Sequence, residues 1–148
     1  MPSSNSPMLT SQRVVQICLF LVAAIAMLGG SLQMYLGQPD TSPRLDNVHR
    51  FMAGVYFSTG LINLWAATTI RRQGTLVYLL ALGVLLAGVG RLVSISQVGL
   101  PEPASAWLGY LIPELLLPVV IAVAHAATNR NASQAAAAAS EETQTRAK

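Results

Sequence analysis

Cysteine, charge and aromatic side chains are all scarce in this chain, and each scarcity removes a class of protein. A single cysteine among 148 residues, Cys18, excludes a disulfide framework and a cysteine-rich metal site. Aspartate, glutamate, lysine and arginine make up only 10% of the sequence, against about 25% in an ordinary soluble domain. Such a chain cannot cover a water-facing surface with polar groups. A soluble globular domain and a disordered protein are therefore both excluded. The 9 basic residues outnumber the 6 acidic ones by a margin too small and too scattered to follow a phosphate backbone, so nucleic acid is no partner. The two histidines, His49 and His125, stand at opposite ends of their segments, which argues against a haem held between them. No Cys/His cluster has zinc spacing, and no cofactor or metal is expected.

What the chain does contain is long apolar runs, with 53% of its residues hydrophobic. A spanning helix needs about 20 mostly apolar residues, because the hydrocarbon core is about 30 Å thick and a helix rises 1.5 Å per residue. Four stretches qualify, at about 14–36, 48–70, 75–98 and 107–127. Breakers separate them: Gln38 to Pro43, the Arg71-Arg72-Gln73-Gly74 turn, and Gly99 to Pro103. The expected fold is all-α, an integral membrane bundle of four transmembrane helices running up-down-up-down over residues 13–128. Residues 1–12 read as a flexible Ser/Pro/Asn-rich segment. Residues 129–148, with the alanine run Ala135 to Ala139, read as a disordered tail because they offer no apolar face to bury. Ala24-Ile25-Ala26 has the small residues of a signal-peptide cleavage site, but apolar character continues past it and Arg13 is its only positive flank.

Lysine and arginine set the orientation. Arg13, Arg71, Arg72, Arg130, Arg146 and Lys148 lie on one side, whereas Arg44 and Arg50 on the other are offset by Asp40, Asp46 and Glu102. By the positive-inside rule the first side, with both termini, is cytoplasmic. Asn131-Ala132-Ser133 fits a glycosylation pattern but falls on that side.

Charges inside a span carry the most information, since each costs about 2.5–3.5 kcal/mol at the helix centre on insertion scales. Arg91 and Glu114 each lie about 10 Å below the outer end of their segment. Opposite charges at one depth are expected to face each other, and Gly83 and Ala87 at i−8 and i−4 suggest close helix approach on Arg91's face. On the second stretch, Asp46 and Arg50 are spaced to pair, and Asp46 reads as a helix cap. His49, Ala53, Tyr56, Gly60 and Asn63 then share one small and polar face. Gln33, Tyr35 and Tyr110 sit at the same outer level. The expected site is one outward-facing polar pocket: Arg50, Arg91, Glu114, His49 and Tyr56, with Asp46, Gln33, Asn63 and Tyr110 as secondary contacts. Pro113 and Pro118 bracket Glu114 and free backbone carbonyls beside it.

Three stretches resemble a bacterial membrane family known as domain-of-unknown-function family 4345. They are Arg50-Phe51-Met52-Ala53-Gly54-Val55-Tyr56, then Gly88-Val89-Gly90-Arg91-Leu92-Val93-Ser94 with Gly99-Leu100-Pro101, and Glu114-Leu115-Leu116-Leu117-Pro118. The resemblance covers about residues 14 to 128. It implies a four-span inner-membrane protein and a shared pattern of Arg50, Arg91 and Glu114, and it assigns no reaction.

Whether the chain is an enzyme is not decided by these residues. The first functional expectation is a small multi-pass protein of the bacterial inner membrane that binds a polar-headed lipophilic molecule, Arg50 and Arg91 holding the head and Glu114 orienting Arg91. The same residues admit an accessory subunit, docked on a membrane-protein partner or on another copy through small-residue faces. They also admit an oligomeric transporter, although small multidrug carriers place their glutamate in the first span and this chain places it in the fourth.

Overall fold

The computed structural model describes residues 8–146. It is all-α: four long helices and a short 3-10 turn, 88% helical, with no strand among the described residues. The helices are α1 (Thr10–Leu36), α2 (Pro43–Thr68), α3 (Thr75–Val98) and α4 (Ala104–Arg146), with the turn Ile70–Arg72 between α2 and α3. The flexible segment expected over residues 1–12 lies mostly outside the described residues; from Thr10 onward it already belongs to α1.

α1, α3 and α4 are long and apolar enough to cross a membrane. At 26 residues α2 is long enough, about 39 Å. Its interior carries His49, Arg50, Ser58, Thr59 and Asn63, which leave it less apolar than the other three. Large side chains such as Leu28, Phe51, Leu79 and Val123 are exposed. Water-facing helices would bury such residues, whereas a bilayer leaves no reason to hide them. The fold is that of a small membrane protein.

The chain forms two compact units. In the unit Gln16–Leu76, α1 and α2 run antiparallel and very close. A Cβ on Gly30 would come within 2.8 Å of the Ala53 carbonyl and the Phe57 amide, and one on Gly60 within 2.6 Å of Met27. Ala53, Gly60 and Asn63 are buried along this seam, and the Gln16 side-chain amide donates to the Ala67 carbonyl at 2.9 Å near its far end. In membranes, small residues of this kind replace hydrophobic expulsion as the means of bringing two backbones together.

The second unit contains the start of α1 up to Val15 and the chain from Val77 onward. Here α3 and α4 are antiparallel. Gly88 lies against Glu114 and Leu115, and the Tyr78 ring meets His125 edge-on at 4.8 Å. Ser11 and Thr128 hydroxyls share a hydrogen bond of 2.8 Å, tying the first turn of α1 to α4.

Helix ends follow local chemistry. Gly37 and Gly99 adopt φ of 60° and 86°, and their N–H groups bond back to Gln33 and Ile95, closing α1 and α3. α2 begins one turn earlier than its apolar run suggests. Ser42 is its N-cap, accepting the Leu45 N–H at 3.3 Å, and Pro43 occupies the first turn, where its missing N–H is no loss. Asp46, expected as the cap, stands instead within the first turn.

α4 departs furthest from expectation. It continues to Arg146, so residues 129–146 are exposed helix where disorder is expected. Lack of an apolar face removes tertiary support, but it does not forbid a helix. Alanine has the highest intrinsic helix propensity, and an extension of an existing helix avoids the nucleation cost.

Candidate functional site

The expected site residues fall into two groups, one in each unit. In the α3–α4 unit, Arg91 Nε donates to Glu114 Oε2 at 2.7 Å, the pairing that their matched depths predict. The Glu114 side chain is 10% exposed and that of Arg91 33%. Gly88, one turn before Arg91, lets α4 approach until Glu114 Cβ is 3.2 Å from where a side chain would begin. This corrects the expected approach face. Gly83 and Ala87 are exposed, and a Cβ on Gly83 would meet nothing within 4 Å. Arg91 follows both Ala87 and Gly88 at helical spacing, and the α4 contact runs through Gly88.

The guanidinium of Arg91 also lies beside two aromatic rings. Its Cζ lies 5.8 Å from the Trp107 ring centroid and 5.6 Å from that of Tyr110, within cation–π range of both. Trp107, Tyr110 and Glu114 recur at i, i+3 and i+7, which puts them on one side of α4. Arg91 thus brings its guanidinium to two rings on the side of α4 that carries Glu114. The sequence reading includes Tyr110 as a secondary contact and leaves Trp107 out of the site; their shared spacing with Glu114 is the signal that joins them.

Only Nε of Arg91 is committed to the carboxylate. Among the described residues, the one fully buried side-chain polar atom without a partner is Asn63 Oδ1. Neither Nη of Arg91 nor Oε1 of Glu114 takes part in the bond between the two residues, and the arginine side chain is partly exposed. Pro113 and Pro118 lack an N–H, so they offer no intrahelical donor to the Gly109 and Glu114 carbonyls. The arrangement is a neutral pair with spare donors on one member and a spare acceptor on the other, beside two exposed rings.

The second group lies in the α1–α2 unit. Arg50 Nε donates to Asp46 Oδ2 at 2.9 Å, and its Nη1 donates to the Met34 carbonyl at 2.6 Å. Asp46 Oδ1 accepts the Gln38 N–H at 2.6 Å. Together the two side chains close the C-terminal end of α1, whose last carbonyls have no helical partner. The Gln38 N–H, and then the Arg50 guanidinium, hold the Asp46 carboxyl below the usual carboxylate range. Gly37 fits beneath them because a Cβ there would strike Arg50 and Asp46.

The small and polar face of α2 meets α1. His49 Nδ1 lies 3.4 Å from Gln33 Nε2, Tyr56 packs against Gly29, and Asn63 is wholly buried with its Nδ2 donating to the Thr59 carbonyl. His49, Tyr56, Gln33 and Asn63 thus belong to the seam between two neighbouring helices. Cys18 is buried as a small packing residue. Among the described residues no three His, Cys, Asp or Glu side chains come together as a metal site.

Residues 13–125 match the family described as Domain of unknown function (DUF4345), and the chain belongs to that family. No curated protein and no solved structure matches it.

Proposed function

We propose that this DUF4345 member is a four-span protein of the bacterial inner membrane, with both termini cytoplasmic, that holds the polar head of a lipophilic molecule at Arg91 and Glu114. The observation that carries this reading is the part of the ion pair left outside its single hydrogen bond. A pair that merely sets helix register would satisfy its polar atoms internally, whereas here both Nη groups and one carboxylate oxygen lie outside the bond, on a partly exposed arginine beside exposed Trp107 and Tyr110. Intramembrane ionisable groups are functional by default.

Purification in mild detergent tests this. Wild-type protein should retain a lipophilic small molecule, seen by mass spectrometry of an organic extract, and the Arg91→Met, Glu114→Leu double variant should lose it. Equal retention by both would sink the assignment. A second reading has its own support. The small residues Gly83, Ala87 and Gly90 lie exposed along one side of α3, as on a helix that docks another. A stoichiometric polypeptide in the purified material, lost on Gly83→Leu, would favour an accessory subunit.

Topology is tested separately in a Cys18→Ser background. On intact cells an impermeant thiol reagent should label Ser105→Cys and spare Gln73→Cys; the reverse pattern would invert the orientation.

A further inference from the structure

The charge arithmetic of the Arg91–Glu114 site narrows what its ligand can be. Guanidinium and carboxylate at 2.7 Å sum to zero. A purely anionic head approaching Arg91 would place a second negative charge beside Glu114. An uncharged hydroxyl head would leave both ionic groups with only weak dipoles to replace water. A head that carries both signs meets neither difficulty: its anion faces the Nη donors, its cation faces Oε1, and the site stays neutral after binding. Neutrality matters where desolvation of a net charge is expensive.

Two further features fit the same head. The Trp107 and Tyr110 rings stand beside the guanidinium, and aromatic faces also attract ammonium groups. The guanidinium sits at ring level, where lipid headgroups lie.

Resting on the proposed function, we infer that the site takes a zwitterionic phospholipid headgroup, with phosphate on Arg91 and ammonium on Glu114. Arginine binds phosphate through paired N–H donors, and both Nη groups of Arg91 lie outside its bond to Glu114.

The test is native mass spectrometry of the full chain in detergent, titrated separately with phosphatidylethanolamine, phosphatidylglycerol and diacylglycerol of matched acyl chains. Wild-type protein should bind phosphatidylethanolamine about tenfold more tightly than either of the others, the ratio set by ~1.4 kcal/mol. Glu114→Gln leaves an uncompensated guanidinium and should reverse the order in favour of phosphatidylglycerol. Arg91→Lys, a milder change, should keep the order with weaker binding, because the charge sum survives and the fork does not.

A wild-type preference for phosphatidylglycerol or for diacylglycerol would overturn the zwitterion. Equal binding of the three lipids, abolished by Arg91→Met with Glu114→Leu, would overturn it too and leave the lipophilic-ligand reading standing. Equal binding that survives the double variant would overturn both. Soluble glycerophosphoethanolamine is the control for the source of the head: binding as tight as that of the lipid would overturn the membrane origin.

Discussion

Removing one charge of the Arg91–Glu114 pair should destabilise the protein by an amount that depends on which charge is removed. Breaking one partner of a buried pair costs about 3–5 kcal/mol, because the other is left uncompensated. Here the two partners differ in exposure, 10% for the carboxylate side chain and 33% for the arginine. Arg91→Met strands the buried carboxylate, so its cost should fall near the lower end, about 3 kcal/mol. Glu114→Gln strands a partly exposed guanidinium that still has Trp107 and Tyr110 beside it, and should cost about 1 kcal/mol. The double variant Arg91→Met with Glu114→Leu removes both charges and keeps similar volume. It should return to within about 1 kcal/mol of wild type, since apolar replacement of a buried pair is often neutral. The assay is denaturant unfolding of all four proteins in one delipidated detergent, so that no bound lipid contributes. Additive losses in the double variant would refute the reasoning, as would a larger loss for Glu114→Gln than for Arg91→Met.

Four other outcomes follow from the same geometry. Gly60→Leu should cost about 1–3 kcal/mol by forcing α1 and α2 apart, whereas Gly83→Leu, which meets open space, should stay within about 0.5 kcal/mol; thermal melts followed by circular dichroism compare them. Asn63→Leu should stabilise by about 1–2 kcal/mol, because it deletes the buried oxygen that has no partner; a lowered melting temperature would mean that the carbonyl is used. Asp46 is held below the usual carboxylate range, so its contribution is present above the unfolded value of about 3.9 and fades as pH falls through the lower folded value. The gap in unfolding midpoint between wild type and Asp46→Asn should therefore be constant at neutral pH and shrink in acid, and a pH-independent gap would contradict this. A chain ending at Arg130 should melt with the full-length protein, since residues 131–146 are exposed throughout.

The number and placement of the helices were legible because apolar runs and proline-rich breaks are local features. Their interfaces were not. The 4-3-4-3 spacing from His49 to Asn63 states that these residues share a face, and it is silent on what the face meets. A polar wall and a close seam use the same small residues, and here Gly29 and Gly30 on α1 decide for the seam. Arg91 posed a similar ambiguity, with Ala87 and Gly88 both at helical spacing from it. Its pairing with Glu114 was readable from equal depth, but the place of the guanidinium beside Trp107 and Tyr110 was not, because four rotatable side-chain bonds set it. Asp46 and Ser42 both suit a cap; Pro43, fitted to the first helical position, resolves the choice. The helix over residues 129–146 rests on alanine propensity and continuity with α4, neither of which needs an apolar face.

The length of α4 has a mechanical side. Pro118, with no N–H for the helical ladder, is a position where α4 can bend at low cost. From there 28 residues of helix lead to Arg146, an arm of ~42 Å, so a change of direction of about 10° at the proline displaces the tip by ~7 Å. Glu114 is one turn from that fulcrum. Any bend at Pro118 would thus be carried, enlarged, to the far end of the rod.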